Sequence, residues 1–408
     1  MIGAGGAGLS AAVQAHELGA NVVVVEKMAM VGGNTVRAAG GLNAVGTALQ
    51  QAKGTKDSVE IMFYDTMKGG HWLNDPALVR TLVTKSASSV YWLLAHGGDL
   101  RDVGLMAGAS QPRTHRPTGG ALVGPEVVRT LYTAAKNLKI DVRTNTHAEQ
   151  ILTDKSGRVV GLKVKGKDGT YTIHSKAVVD AAGGFGANIK MRQEFNTGVW
   201  KDVKLDKSIG CTNLAKAAQG DGLVMGKKVG AALIGLDDIQ IHPCGTPGTG
   251  LMENIRTSGR NRIFVNLEGS RFVNEGAARD VLAKAIFAQP KGTYWIVVNH
   301  ERYPSEDWVD ANGATIRNML ALGSVVAAPT LDELAKKTGM DPKKLEASVA
   351  GYNAVVEGKA KDPLGFVANN KDDKTLTGGP WYACRKGPDG ASHDGRLGNQ
   401  HQGAGYRR

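Results

Sequence analysis

Three rhythms of apolar and polar positions run along this chain, and each predicts a different element. Small and apolar residues recur at helical spacing from Leu9 to Leu18 and stop at Gly19. Asn21-Val22-Val23-Val24-Val25-Glu26 is then a continuous apolar run of the kind buried in parallel sheets. Helical spacing returns over 55 to 105, through Val59, Met62, Phe63 and Met67 and again through Leu78, Leu82, Val90, Leu93 and Leu94. From Ile140 to Val179 apolar residues alternate with polar ones, and Lys155-Ser156-Gly157 and Lys167-Asp168-Gly169 supply turns, so a β-meander is expected there. Its last strand, Ala177-Val178-Val179-Asp180, ends in Ala181-Ala182-Gly183-Gly184. A helix is expected to begin near Gly220-Asp221-Gly222, with Asp221 placed either to bond a hydroxyl or to cap it. From about 235 the composition shifts to mixed α/β with long polar loops and a helix pair around 331–357. The expected organisation is therefore a first domain over 1–234, a second inserted at 235–375, a return to the first over 376–388, and a tail over 389–408.

Composition sharpens this picture in a few places. The chain has 408 residues, more than the ~100–200 of one domain. Its 55 glycines are about twice the number that an average usage of roughly 7% would give, and they cluster where backbone can approach a ligand. The net charge of +12 is spread without a basic block or adjacent aromatics, which argues against nucleic acid and suits attraction of a small anion. Cys211, Cys244 and Cys384 are too far apart for a disulfide framework, an iron–sulfur cluster or covalent haem, and no metal site is expected. No run of about 18 apolar residues predicts a membrane span, and no signal is visible at the start. A soluble protein is expected, cytoplasmic or, if an amino-terminal signal has been lost, periplasmic.

The chemistry is written most clearly at the start. Gly3, Gly5 and Gly8 open a helix, and Glu26 follows about 20 residues on at a strand end, which is the full dinucleotide fingerprint. Glycines let the backbone approach a pyrophosphate, the helix amino terminus offers N–H groups and positive potential, and the carboxylate accepts from a ribose hydroxyl. Only Met1 and Ile2 precede Gly3, so the first strand is expected to be truncated. A second glycine stretch, Gly32-Gly33-Asn34-Thr35 with Ala39-Gly40-Gly41, comes too soon to be needed by a nicotinamide enzyme. It reads either as backbone lying along an isoalloxazine or as an ordinary loop. The stretch Gly108 to Gly120, containing Arg113-Thr114-His115-Arg116-Pro117-Thr118, is rich in polar and cationic groups, with a solvated loop as the plain alternative.

Together with Ile241-His242-Pro243, Arg271-Phe272-Val273-Asn274-Glu275 and Ala278-Arg279-Asp280, these motifs resemble the FAD-dependent fumarate reductase and urocanate reductase flavoproteins, related to succinate dehydrogenase flavoprotein subunits. The likeness covers roughly residues 1 to 388. It implies an α/β fold: an FAD-binding Rossmann-like domain of the glutathione-reductase type with an inserted α+β clamp, or capping, domain. For the cofactor it implies FAD, held by Gly3, Gly5, Ala7, Gly8, Glu26, Lys27, Gly33, Asn34, Thr35, Ala39, Gly40, Gly41, Ala148 and Asp221. For the reaction it implies hydride transfer from flavin N5 to one alkene carbon of a small unsaturated carboxylate and a proton to the other from Arg279, refilled through Glu253 and Arg256. Substrate contacts would come from His242, Gly40 and Arg256. From the residues alone, Arg279 could equally be an ion-pair partner of Asp280 or Glu275, and His242 a satisfied core histidine.

Departures leave the substrate open among fumarate, urocanate and related acrylates. Met252 stands where the family has threonine before the glutamate, and 258–266 is unusually basic. After Pro388 the pattern is lost, and Leu397 is the one large aliphatic residue of 389–408, so a disordered, frameshifted tail is expected. Three functions follow from the reading: an enoate reductase, another FAD oxidoreductase of the superfamily such as a succinate-oxidising one, and an inactive fragment. An electron-donor domain or a protein on another chain is the expected partner beside a dicarboxylate or enoate substrate.

Overall fold

A run of four valines can satisfy both of its faces only inside a sheet, and the chain places it there. In the computed structural model Val23–Val25 pairs in parallel with Asp141–Arg143, while Ile2 bridges in parallel to Val25 on one side and Asp180 on the other. Four backbone segments thus lie side by side, all parallel, which is the α/β arrangement expected. The structure describes residues 1–408 except 107, 108, 212, 251–253, 258, 311, 312, 370, 371, 394, 395 and 398–408, and only the backbone of 391–393, 396 and 397.

The helix Gly6–Glu17 carries the chain from Ile2 to Val23 and buries Gly8, Leu9, Ala12 and Val13. Leu9 and Val13 pack with Val24, Val90, Leu131 and Ala135, each large side chain contributing about 1.5–3 kcal/mol by burial. Gly19 N–H bonds to His16 O and Ala20 N–H to Ala15 O, closing the helix end with a left-handed glycine. A polar side chain at Val13 would break this packing. Further on, Ser58 caps Val59–Gly69, and Asp75 caps Pro76–Ala95 with proline in the first turn. The meander expected from Ile140 to Val179 is shorter: its antiparallel sheet is His147–Thr153, Val159–Gly166 and Gly169–His174, whereas Asp141–Arg143 and Asp180 join the parallel strands. Asp154 Oδ1 accepts from the N–H groups of Ser156 and Arg158 and so shapes its first turn.

Chain contacts divide the molecule into two units, one of 1–191, 213–238 and the described residues from 393 on, the other of 192–212 and 239–392. The second unit is built on a sheet in the order Ile239–Gly245, Trp381–His393, Tyr294–Asn299, Ile263–Val265. The helix pair expected around 331–357 is Leu331–Thr338 and Pro342–Val356, which buries Leu334, Leu345, Val349 and Tyr352 against that sheet.

The sequence placed a boundary at 234/235, and the contacts place it at 238/239. Two larger differences concern 192–212 and 376–388, expected in the first domain and found with the second unit. The cause is hydrogen bonding: Trp381–His393 pairs with Tyr294–Asn299 and Val326–Ala328, and Gly210–Cys211 pairs with Asp389 and Gly390. The tail also departs from expectation, because the strand runs through Asp389 to His393 and Arg396–Leu397 pairs with Leu233–Ile234. A ladder bonds backbone to backbone, so a segment poor in aliphatic side chains can still join it. Residues 398–408 of the expected tail lie outside the described residues.

Candidate active site

The glycines of the first turn sort by what each would strike if it carried a Cβ. At Gly3, with φ of 93°, the added carbon would sit 2.5 Å from Ala181 O, and at Gly8 it would sit 1.9 Å from Gly3 O. These two are glycine because the chain itself leaves no room. At Gly5 the nearest neighbour would be 3.8 Å away, so the chain makes no such demand there. Gly5 is the N-cap of the helix Gly6–Glu17 and brings no side-chain cap of its own, the Gly6 N–H being taken by Thr35 Oγ1. An open backbone at the positive end of a helix suits a pyrophosphate. The second glycine stretch divides the same way. Gly41 would meet Thr114 at 2.2 Å, whereas Gly40 finds nothing nearer than Met106 at 3.8 Å.

Glu26 ends its strand nearly buried, and its carboxylate is fixed by two backbone donors, Ala4 N–H at 2.9 Å and Met28 N–H at 2.8 Å. Each oxygen keeps a second lone pair for a ribose hydroxyl. Thr35 Oγ1 accepts from Gly6 N–H, tying the second glycine stretch to the first. Asn34 Nδ2 donates to Asn213 Oδ1, and Asn34 Oδ1 accepts from Leu214 N–H. Lys27 Nζ lies 2.5 Å from Asp221 Oδ2, with His147 Nε2 at 3.4 Å from the same oxygen and Ala148 buried beside it. Gly33 has φ of 49° and Ala39 follows in the adjoining turn. Of the residues implied for the cofactor, Gly3, Gly5, Gly8, Glu26 and Thr35 are thus joined by contacts at the ends of the first unit's parallel strands, and Lys27 is joined to Asp221.

The sequence missed Asp180 here. A Cβ on Gly222 would lie 2.4 Å from its carboxylate, and burial, despite a bond from Ala182 N–H, together with the charge of Asp221 raises it above the usual carboxylate range.

The cationic loop proves to be structural at its centre. Arg113 is 2% exposed, forks onto Asp57 with both bonds at 2.9 Å, and reaches Asp65 at 2.8 Å. His115 is wholly buried, bonded to Thr47 Oγ1 at 2.8 Å, and burial lowers its pKa so that the ring is neutral. Gly108 lies outside the described residues.

In the second unit the strand Ile239–Gly245 alternates, with Gln240 and His242 on its half-exposed face. Arg279, the first residue of the helix Arg279–Phe287, is exposed and donates from Nη1 to Gln240 Oε1 at 3.1 Å. Arg279 and His242 are thereby brought to one strand face. His242 Nδ1 is in hydrogen-bond contact with Cys244 Sγ and 3.8 Å from Asp389 Oδ2. Burial alone would favour the neutral ring, but the Asp389 carboxylate and Cys244 outweigh it and push the pKa up to about 9. Neither partner was read from the sequence as part of the site. Cys244 was findable, since residues i and i+2 share a strand face. Asp389 was not, having been assigned to a disordered tail.

Arg256 is half-buried, and its carbonyl accepts from Arg302 Nη2 at 2.8 Å. Glu253, its expected partner, lies outside the described residues. Within the basic stretch 258–266, Arg260 pairs with Asp373 at 2.8 Å, and Arg262 donates to Glu275 O at 2.8 Å.

Comparison with known proteins agrees with this geometry. The FAD binding domain model matches residues 1–390. The chain belongs to that family. FAD is its cofactor, and the open glycines, the helix amino terminus at Gly5 and Glu26 fit it. A fumarate reductase (cytochrome) of Shewanella frigidimarina is 41% identical over 393 residues, 95% of this chain and 65% of the relative. The urocanate reductase of Eggerthella lenta is 33% identical, covering 94% of this chain and 62% of the relative. The chain therefore spans less than two thirds of the length of these relatives. The open conformation of a flavocytochrome c3 fumarate reductase superposes with a TM-score of 0.78 at 35% identity, over 97% of this chain and 67% of that one. These likenesses support the Rossmann-like FAD domain with a capping domain. Among the described residues no helix is long and apolar enough to cross a membrane.

Proposed function

We propose that this chain is the flavin-binding part of a reductase that adds hydrogen across the C=C bond of a small unsaturated carboxylate, of the fumarate type. The observation that carries the reading is that His242 shares its strand face with Gln240, to which the exposed Arg279 is hydrogen-bonded. Arginine at the start of a helix sits at the positive end of the dipole, where a cation is disfavoured by about 0.3–1 kcal/mol. A residue kept in an unfavourable place is best explained by what it does there.

FAD, when bound and reduced, supplies the hydride. The imidazolium of His242 binds one carboxylate, and the guanidinium of Arg279 faces the second alkene carbon and gives it a proton as charge develops there. An arginine can serve as acid because the reacting carbon becomes strongly basic and the guanidinium is refilled, for which Glu253 and Arg256 are the candidates. Hydride and proton together saturate the double bond, and the flavin is left oxidised. The names of the relatives, which act on fumarate and urocanate, support the substrate class.

The test is dye-coupled turnover. Oxidation of a reduced viologen by the purified flavoprotein should be driven by fumarate, urocanate or acrylate and not by simple ketones. Turnover with ketones alone would overturn the reading.

A further inference from the structure

His242, Cys244 and Asp389 form a group that the reaction just described does not explain. Cys244 Sγ contacts His242 Nδ1 and lies 3.3 Å from Nε2, so the sulfur faces the ring edge between the two nitrogens. Asp389 is wholly buried, and its carboxylate packs so closely on this strand that a Cβ at Gly245 would sit 2.5 Å from Oδ2. An imidazole with a sulfur on one edge and a desolvated carboxylate 3.8 Å away is both oriented and favoured as the cation. Other ionisable groups on packed elements include Arg279, Asp280 and Lys284 of the helix Arg279–Phe287, Tyr382, Cys384, Arg385 and Lys386 of the strand Trp381–His393, with Lys386 bonded to Asn254, and Tyr294, whose hydroxyl bonds Pro243 O at 2.8 Å.

We propose that Cys244 and Asp389 are positioning residues that keep His242 charged and aligned along its strand face, and so set the pH range over which the site accepts an anionic substrate. The proposal rests on His242 binding a carboxylate. A neutral imidazole offers one N–H and no net charge, so a site built on it loses its carboxylate as the ring deprotonates. An ordinary histidine, titrating near 6.5, would do so within the neutral range. With Asp389 and Cys244 in place that loss is deferred to about pH 9.

The experiment follows the ring directly in the full chain, by NMR of ¹³C-labelled histidine, with His242→Gln assigning the resonance. Parent protein should titrate near pH 9. Asp389→Asn should lower the midpoint by about 1–3 pH units. Cys244→Ala should lower it too, and Cys244→Ser, which keeps an acceptor, should recover most of that shift. Fumarate affinity, measured by calorimetry across the same pH range, should lose about tenfold per pH unit above each variant's own midpoint. A parent midpoint near 6.5, or one that neither Asp389→Asn nor Cys244→Ala moves, overturns the proposal. Failure of the underlying reading looks different, because His242→Gln would then leave fumarate affinity at pH 7 unchanged.

Discussion

The two units build their candidate sites from different parts of the polypeptide. In the first, the cradle is backbone: Gly5 and Gly40 are open, the N-cap of the helix Gly6–Glu17 is a glycine with no side chain, and Glu26 is held by main-chain N–H groups. In the second, the work falls to side chains whose state depends on neighbours far away in sequence, such as Asp389 on His242 and Gln240 on Arg279. A backbone site tolerates drift in most positions but not at its glycines. A side-chain site is lost by a single charge.

The largest expected effect tests the second unit. Arg279→Lys keeps the charge but loses the guanidinium fork, so turnover per bound flavin should fall by about 10³-fold or more at unchanged flavin content. Parental turnover in that variant would make Arg279 a surface residue. Arg113 supplies the contrast from the first unit: removing one partner of a buried ion pair costs about 3–5 kcal/mol, so Arg113→Ala should lose stability and flavin together. A stable, fully loaded Arg113→Ala with reduced turnover would instead place that arginine in the chemistry.

The glycines give a finer test of the backbone site. Gly8→Ala drives a methyl into Gly3 O and should cost about 1–3 kcal/mol or more of stability, read as a lower midpoint in urea. Gly5→Ala should leave the urea midpoint near parental and weaken FAD binding. If both variants behave alike, the division between glycines needed by the chain and glycines needed by the ligand is wrong. The smallest effect is expected for Glu26→Gln, which keeps an acceptor but loses the charge. FAD affinity should fall by about tenfold, matching a charge-assisted bond worth ~1.5 kcal/mol, and equal flavin occupancy in mutant and parent would remove Glu26 from the ribose site.

The same contrast explains what the sequence disclosed. Gly3, Gly5, Gly8 and Glu26 flank or begin one helix and end one strand within the first 26 residues, so local spacing exposes the cradle. The strand Val23–Val25, the meander and the helix pair were legible because hydrophobic rhythm is also local. The loop around Arg113 left a solvated loop open as its alternative, because nothing nearby in sequence announces Asp57 and Asp65 as partners of that arginine. Asp389 was passed over because loss of aliphatic pattern reads as disorder, whereas its place is fixed by pairing with Gly210 and by packing on Gly245.

The strand Trp381–His393 also bears on when the molecule can form during synthesis. The parallel strands of the first unit draw on segments no later than residue 180, so they can assemble while the rest of the chain is still being made. The second unit's sheet has this late strand between Ile239–Gly245 and Tyr294–Asn299, and those two must wait with bare edges until the ribosome has released it. At about 5–20 residues per second, the interval from residue 245 to 393 lasts some seconds, long enough for exposed strands to find the wrong partner. A nascent chain stalled before residue 381 is thus expected to engage holding chaperones through its second unit while its first is already protease-resistant.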